Sequence, residues 1–482
     1  MDGRIDWNKD DLAALFLERV FDLAREGGYV AQVLPGVIFN GSFSKDLRLK
    51  LLDETDITAL VGFENHGIFE GLHPQYSFAV TTFKNGDRTD ALRGIFQQRD
   101  VGILDELDEH AIDIPRRVLT EYSPEARIFP FIKSHEEADV LDTILTHPSL
   151  GDDLSDRWNV TVHRELNRTD DSDRLIEDEQ AGDYPIYEGK NIHQHVYDDT
   201  LDAGAQPFKF WSVEEPVAPE TSAKHRSRNQ TFNSGDLKKS IYLAFGGPEK
   251  SKSQKQFVNE LLDEHRGEPL GLDDVLLDCT EYRIAYRDIA RVSDERTMIA
   301  AVLPKEVICV HTVQTLRPYE IDPKVEDLDE TPLHGAYDRA FTDEELFAAT
   351  GLLNSIPFDF LMRTKIDSHI VQYKFWESQA PRLAEGDDWF EYIWTRAARL
   401  NCYGDAFAEM RERLGGIDPA TERTERERLR AEIDAGAFHA YGLDAEETQF
   451  ILDDFHRVNN PRLMTDSYFD LVFETYTDLE AN

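Results

Sequence analysis

Eight lysine and arginine residues between positions 224 and 255 locally reverse the charge of this sequence. They are Lys224, Arg226, Arg228, Lys238, Lys239, Lys250, Lys252 and Lys255. Only two acidic residues lie among them, whereas the whole chain has 52 basic and 95 acidic residues and a net charge of −43. Because ammonium and guanidinium groups bind phosphate oxygens, the cluster predicts an arm that contacts the phosphates of a nucleic acid. A solvated loop in which charges cluster by chance is the alternative.

Two arginines that are four residues apart, Arg283 and Arg287, alternate with apolar residues in the segment YRIAYRDIA. On a β-strand they would share one face. Arginine can bind guanine through two hydrogen bonds or clamp a phosphate, so both are interface candidates. Structural pairing with a carboxylate among residues 288–295 is the alternative. Arg296 stands at the entry of the next predicted strand and is a third candidate.

Motifs of several other chemistries are absent. The sequence contains no GxGxxG turn, no Walker A loop and no HExxH pair. Its three cysteines form no CxxC pair, which is typical of reduced thiols in the cytoplasm. His193 and His195 form an isolated HxH, which is more typical of a polar loop than of a metal site, so we predict no metal. No stretch approaches the roughly 18 apolar residues that a membrane helix needs.

The acid-rich composition is similar to that of proteins from salt-loving archaea, which predicts a halophilic environment. A net negative charge opposes DNA binding at low salt. At molar salt the Debye length is only about 3 Å, so distant repulsion vanishes and local contacts decide. The charge therefore does not exclude DNA as a partner.

The elements that must position these residues follow from hydrophobic periodicity. The first ninety residues predict a helix at 12–23, a strand at 29–34 buried on both faces, a helix capped by Ser44, and strands at 57–63 and 76–83. This order indicates the back half of a doubly wound α/β sheet. Residues 184–400 predict a mixed region with strands at 298–303 and 307–313. The pattern then turns helical and ends with an apolar helix around residues 450–455.

Six segments, in order, resemble type IIG-like adenine-specific DNA methyltransferases. FLERVFDLAREGGYVAQVLPGVIFNGSFSKDLRLKLL is similar to the stretch that follows the family's catalytic tetrapeptide, and ITALVGFENHGIFEGLHPQYSFAVTTFKNG to its next strand, its aromatic base-pocket motif and its antiparallel last strand. YPIYEGKNIHQ, YRIAYRDIARVSDERTMIAAVLP, LLNSIPFDFLMRTKI and LRAEIDAGAFHAYGLDAEETQFIL resemble its target-recognition domain and C-terminal helices. The resemblance covers nearly the whole chain and includes enzymes of restriction-modification and phage-defence systems.

The resemblance implies three parts. Residues 1–100 would be the C-terminal half of the methyltransferase domain with a partial Rossmann-like sheet, residues 101–395 a mixed α/β DNA target-recognition domain, and residues 396–482 a helical C-terminal region. Phe69 would hold a flipped adenine by stacking, with Tyr76 as the second candidate and a core phenylalanine as the alternative. Lys190 would lie in a loop that meets DNA, or be an exposed turn lysine. Three polar residues, Asn354, Asp359 and Arg363, are predicted to brace a helix inside the domain.

The family's cofactor loop and its Asp/Asn/Ser-Pro-Pro-aromatic tetrapeptide are expected upstream of Asp11, and the sequence contains no Pro-Pro dipeptide. We therefore expect a chain that recognises double-stranded DNA but binds no S-adenosylmethionine by itself, because the cofactor belongs to the complete enzyme. The expected partner, besides DNA, is a separate polypeptide that carries the N-terminal half of the methyltransferase domain. The alternative is a non-catalytic DNA-specificity or interaction subunit that complements a separate methyltransferase.

Overall fold

The computed structural model describes residues 12–41, 44–73, 76–172, 184–201, 212–213, 234–246, 253–271, 273–366 and 369–481. Its helices are α1 (Leu12–Leu23), α2 (Val37–Asn40), α3 (Lys45–Glu54), α4 (Leu107–His110), α5 (Arg116–Tyr122), α6 (His135–Ile144), α7 (Ser234–Phe245), α8 (Gln254–Arg266), α9 (Asp343–Leu353), α10 (Ile356–Lys365), α11 (Gln372–Trp376), α12 (Phe390–Asn401), α13 (Ala408–Arg413), α14 (Arg423–Ala440), α15 (Ala445–Asp454) and α16 (Asp466–Glu480). Within these ranges, none of the helices combines the length and the apolar character needed to cross a membrane.

The strands are β1 (Tyr29–Pro35), β2 (Thr55–Glu64), β3 (Ser77–Asn85), β4 (Ala91–Gln98), β5 (Ile112–Pro115), β6 (Val162–His163), β7 (Tyr184–Tyr187), β8 (Ser212–Val213), β9 (Arg283–Arg287), β10 (Ala300–Leu303), β11 (Ile308–Cys309), β12 (Val313–Leu316), β13 (Tyr319–Ile321) and β14 (Tyr337–Arg339). Helices and strands alternate in the first part and helices dominate the last. The predicted α/β class with a helical C-terminus is therefore confirmed.

Five strands form the N-terminal sheet in the order β1-β3-β2-β4-β5. β3 lies between β1 and β2 and is antiparallel to both, which confirms the predicted antiparallel strand at this place. Because β1 and β2 are both antiparallel to β3, they run the same way and their carboxyl ends meet at one edge of the sheet. Helices α1 and α3 pack on the sheet through Leu17 and Leu51, both fully buried.

The prediction that β1 is buried on both faces is wrong. Burial alternates along this strand, and Tyr29 and Val33 are 76% and 56% exposed. The reason is that the described part of the chain covers only one face of β1 and pairs only one of its edges. Next to it, α1 exposes the apolar side chains of Leu12, Phe16 and Leu23. An apolar run alone could not distinguish this edge strand from a central one.

The middle of the chain holds three smaller sheets, with the orders β10-β9-β12-β6, β11-β7-β8 and β13-β14. The two strands predicted at 298–313 are three shorter ones, β10, β11 and β12. A turn closed by a 2.8 Å bond from the Val313 N–H to the Val310 carbonyl splits the second predicted strand. Helices α7 and α8 enclose a separate small core with Leu237, Ile241, Val258 and Leu262.

The C-terminal helices share one hydrophobic core with the N-terminal sheet, which runs from Ala14 to Tyr476. The helix expected around 450–455 is α15, and α16, capped by the Thr465 side chain, was not predicted. Ser44 occupies the N-cap position of α3, but its side chain makes no capping bond. The proposed division of the chain at residues 100 and 395 stays a prediction.

Candidate nucleic-acid interface

A cavity of about 550 Å³ opens where β1 and β2 end and β3 begins. In an α/β sheet, ligands bind outside the carboxyl ends of parallel strands, so the position itself marks a candidate site. Five phenylalanines line it: Phe39, Phe63, Phe78, Phe96 and Phe131. An aromatic lining of this kind offers flat apolar faces on which a planar ring can stack.

The phenylalanines stand in two pairs. Phe63 and Phe78 stack with ring centroids 5.1 Å apart, and Phe96 and Phe131 stack at the same distance. The second pair can approach the sheet because residue 62 is glycine. A Cβ at Gly62 would lie 2.7 Å from Cδ1 of Phe96 and would push the ring away. The cavity therefore depends on close contact between a ring and a bare backbone.

Gln97 lines the cavity from a β-bulge in β4. The register with β2 shifts so that Phe96 and Gln97 both stand opposite Gly62. Gln97 has a φ of +58°, in the left-handed region that side chains other than glycine rarely adopt. Such bulges are frequent beside active sites, where they re-aim a side chain.

The opposite wall belongs to the segment from Arg291 to Ser293 and to the end of α10. Arg363 fixes this segment, because its guanidinium donates to the carbonyls of Val292 (2.6 Å) and Asp294 (3.0 Å). Its Nε donates to Asp359 Oδ1 at 2.6 Å, and Asp359 Oδ2 accepts from the backbone N–H of Thr297. The predicted bracing role of Arg363 and Asp359 is confirmed.

Arg291 is the exposed cation of this wall. No described residue hydrogen-bonds to its guanidinium or forms an ion pair with it. In a chain with a net charge of −43, an arginine that finds no carboxylate is available to an external anion. At the mouth of an aromatic cavity, a guanidinium suits the phosphate of a bound nucleotide.

The predicted base-pocket residues lie beside the cavity rather than in its lining. Phe69 is 41% exposed and meets Phe78 edge-on, with centroids 4.8 Å apart. Its backbone N–H donates to Asn65 Oδ1 at 2.8 Å, which fixes the loop between β2 and β3. Tyr76 is 64% exposed, directly before β3. Their roles in holding a base stay predictions.

Arg283 is not on the surface, which corrects its prediction as an interface residue. Its side chain is fully buried and donates to both carboxylate oxygens of Glu165, at 2.8 and 3.0 Å, and to the Val307 carbonyl at 2.8 Å. A guanidinium enclosed in this way cannot reach DNA. The alternative of structural pairing is confirmed for Arg283, although the partner lies outside the expected residues 288–295.

Arg296 and Arg287 are also held inside the protein. Arg296 is 4% exposed, and its Nε lies 3.1 Å from Asp359 Oδ2, so its prediction as an interface residue is wrong for this conformation. Arg287 is half-buried and donates to the Ile192 carbonyl. Burial lowers the pKa of Arg287 to about 10. The hydrogen bonds from Arg287 to Ile192 hold the segment that follows Lys190.

Lys190 lies, as predicted, in a glycine turn directly after a strand, β7. Its side chain is 35% exposed and pairs with Glu188, which also accepts from Arg168 at 3.1 Å. A contact from Lys190 to DNA would therefore compete with this carboxylate.

The basic cluster is described only in part. Lys238 and Lys239 lie on α7, and no described residue pairs with either of them. Lys255 is exposed on α8. Lys224, Arg226, Arg228, Lys250 and Lys252 lie outside the described residues. The role of the cluster in contacting phosphates stays a prediction.

His195 is buried and His193 is half-buried, and burial lowers the pKa of both well below its usual range. They lie at a turn closed by a bridge between His193 and Val196, so the loop that the HxH pattern indicated is present but packs against the interior. Across the residues that the structure describes, no group of three potential metal ligands occurs.

The glycine turns beside β1 do not offer an open loop for a nucleoside cofactor such as S-adenosylmethionine. A nucleoside cofactor needs an open glycine turn at the carboxyl end of a strand. The turn after β1 contains Gly36, but a Cβ there would lie 2.2 Å from Ser77 Oγ, so the turn is already filled. Gly27 and Gly28 precede β1, at the wrong end of the strand.

Sequence patterns did not indicate Gln97, Arg291 or the five lining phenylalanines as one site. The phenylalanines come from separate segments, and the pairing of β2 with β3 and β4 brings Phe63, Phe78 and Phe96 together. The one available signal was that Phe63 and Phe78 stand at the end and the beginning of predicted strands.

A scan against protein-family models and a search of curated proteins each found no match. Among solved structures, the chain is similar to the Type IIL restriction-modification enzyme MmeI in complex with DNA, with 12% identity and a TM-score of 0.44 over 100% of this chain and 54% of that chain. It is also similar to the type IIG restriction endonuclease BpuSI, with 12% identity and a TM-score of 0.27 over 91% and 50% of the two chains. A nuclease-deletion mutant of the Type ISP restriction-modification enzyme LlaGI, bound to a DNA substrate mimic, matches with 11% identity and a TM-score of 0.35 over 80% and 36%. The chain thus spans about half the length of the first two proteins that it resembles.

Proposed function

We propose that this chain is the DNA-recognition and base-pocket portion of a site-specific adenine DNA methyltransferase from a restriction-modification or phage-defence system. In the complete enzyme, a methyl group would pass from S-adenosylmethionine to the exocyclic amine of adenine. The observation that carries the proposal is the phenylalanine-lined cavity at the carboxyl ends of β1 and β2, whose wall includes Arg291, a cation with which no described residue pairs.

The chemistry of the cavity supports a nucleobase as its occupant. Its volume of about 550 Å³ falls within the range of small-ligand pockets, roughly 300–1,000 Å³. Stacking of a base on an aromatic side chain contributes about 1–3 kcal/mol. A base inside a duplex cannot reach such a cavity, so the target nucleotide must rotate out of the helix.

Three cations with which no described residue pairs support DNA as the polymer that carries this base. Arg291 would contact a phosphate beside the extruded nucleotide. Lys238 and Lys239 would contact phosphates farther along the duplex. Phosphate contacts of this kind fix register and orientation on DNA but do not read sequence.

Since the glycine turn after β1 is filled and the sequence contains no Pro-Pro dipeptide, we assign the cofactor loop and the catalytic tetrapeptide to another part of the complete enzyme. The part described here would hold the base and orient the DNA. It would supply no group to the methyl transfer itself.

Replacing Arg291 by alanine should weaken DNA binding and lower the slope of log affinity against log salt by about 1, because one phosphate contact is lost. The duplex is first obtained by selecting bound sequences from a randomised pool at molar KCl. Fluorescence anisotropy over a KCl series then gives the slope for both proteins.

Arg423→Ala is the matched control, since Arg423 is also exposed and has no partner among the residues described, but does not line the cavity. The control should bind like the parent chain. If the parent chain enriches no sequence from the pool, the proposed function is wrong. Calorimetry with S-adenosylmethionine should show no binding to this chain alone, and tight binding would contradict the assignment of the cofactor loop.

A second candidate function is a non-catalytic specificity subunit that docks on a separate methyltransferase. The specific observation in its favour is the exposed apolar surface formed by β1 and α1, with Phe16, Leu23 and Val33 all more than half exposed. An uncovered sheet edge with apolar side chains pairs with another chain or aggregates.

Val33→Lys should abolish association with a polypeptide that carries the glycine-rich turn and the Pro-Pro tetrapeptide, because a charge on the edge strand blocks pairing. Co-expression followed by size-exclusion chromatography and a methyl-transfer assay measures both outcomes. Val371→Lys, at another exposed valine, is the control and should leave association intact. Association that survives Val33→Lys would rule out this edge as the docking site.

A further inference from the structure

We infer that Gln97 reads the edge of the unstacked base, with its side-chain amide hydrogen-bonded to adenine in the phenylalanine-lined cavity. The inference rests on the proposed function and deepens it, because it names the group that would select the base. It concerns a residue for which neither the motif analysis nor the resemblance gave a role.

The cavity is lined by five phenylalanines. Phenylalanine rings bind a base through its faces and cannot distinguish one base from another by hydrogen bonding. Selection needs a polar group at the rim of the rings, and most polar side chains there are already engaged. Glu64 accepts from Arg99 at 2.7 Å and lies 3.1 Å from His66, while the Thr364 hydroxyl donates to the Leu361 carbonyl at 2.7 Å.

Gln97 differs from these neighbours. It is the carboxamide of the lining, and no described residue forms a hydrogen bond with its side chain. The adjacent Gln98, by contrast, does not line the cavity and donates from its amide to the Phe96 carbonyl at 2.8 Å. A half-buried amide without partners retains one acceptor and two donor hydrogens for a ligand.

The backbone at Gln97 has an unusual conformation. Gln97 is held at a φ of +58° by the bulge opposite Gly62. A non-glycine residue in this conformation is strained, and such strain concentrates at functional sites where the surrounding structure fixes it. Gln97 directly follows Phe96 in the sequence, so the amide belongs to the residue next to a ring on which a base can stack.

The Gln97 carboxamide matches the donor and acceptor groups at the edge of adenine. Adenine presents an amine donor next to a ring-nitrogen acceptor, and asparagine or glutamine side chains pair with this pattern through two hydrogen bonds. Guanine presents two acceptors at the corresponding edge. A purine is also the larger ring system and stacks over more of the phenylalanine faces.

The test uses short single strands of abasic nucleotides with one central base, because a lone base reaches the cavity without being extruded from a duplex. Fluorescence anisotropy compares adenine, guanine, cytosine, thymine and unsubstituted purine, which lacks the amine. We expect the parent chain to bind the adenine strand about 10-fold more tightly than the unsubstituted purine strand.

Gln97→Glu, which keeps the length of the side chain, and Gln97→Leu, which is one atom shorter, should reduce this ratio to near unity, because glutamate lacks the donor and leucine lacks both groups. Gln98→Glu, which adds the same charge one residue away, should keep the ratio. Thermal unfolding checks that all variants fold. A parent chain without base preference, or Gln97 variants that retain it, would overturn the inference, whereas selection of duplex sequences by the parent chain would leave the proposed function standing.

Discussion

Replacing Arg283 by methionine should lower the free energy of unfolding by about 3–5 kcal/mol, because the substitution leaves the carboxylate of Glu165 buried without its counter-charge. Arg283 and Glu165 are 0% and 1% exposed in the side chain. One oxygen of Glu165 also accepts from the backbone N–H of Cys309 at 2.6 Å, so the carboxylate cannot turn towards solvent without breaking this hydrogen bond. Urea unfolding in molar KCl measures the difference from the parent chain.

The double variant Arg283→Met with Glu165→Gln separates the loss of the pair from the loss of packing. Glutamine keeps an acceptor for Cys309 and carries no charge, so most of the lost stability should return. Arg423→Met, at an exposed arginine without a described partner, should leave stability unchanged. An Arg283→Met variant within about 1 kcal/mol of the parent chain would contradict this account of the buried pair.

Arg283 also shows what a sequence pattern cannot predict. The alternation of YRIAYRDIA correctly placed Arg283 and Arg287 on one strand, β9. Alternation indicates that two residues share a face, but not whether that face meets solvent. Here the face is covered by Glu165, which lies 118 residues earlier in the chain. A single sequence contains no local signal for such a partner.

The same limit explains why sequence patterns predicted secondary-structure elements but not the cavity. The N-terminal helix and the strands β1, β2 and β3 follow from short apolar periods, because these signals are local. The cavity depends instead on registers between strands, above all on the bulge that sets Gln97 opposite Gly62. Arg291 stands out only because no described residue pairs with its guanidinium. Sequence patterns thus predicted β1, β2 and β3 but not β4, β5 or the shape of the sheet's edge.

A second buried cation, Lys365, joins the N-terminal sheet region to the C-terminal helices. Its Nζ donates to the carbonyls of Tyr122 and Glu377 and lies 4.4 Å from the centroid of the Tyr122 ring. The carboxylate of Glu377 in turn accepts from the Ser123 hydroxyl and the backbone N–H of Ala126, both at 2.6 Å. Burial lowers the pKa of Lys365 from its ordinary value of 10.5 to about 7.

This depressed pKa should make the protein more stable as pH rises above 7. Between the folded pKa of about 7 and the unfolded value of 10.5, the unfolded chain holds a proton on Lys365 that the folded chain has released. Unfolding therefore takes up a proton, and its free energy rises with pH by at most about 1.4 kcal/mol per unit. The difference between the parent chain and Lys365→Met isolates this slope, measured by urea unfolding from pH 7 to about 9 in molar KCl, where other charges are screened.

Lys239→Met, at an exposed lysine, is the control, and its free energy of unfolding against pH should run parallel to that of the parent chain. If Lys365→Met also runs parallel, Lys365 stays protonated in the folded protein, and its two carbonyl acceptors and the carboxylate of Glu377 outweigh the cost of burial.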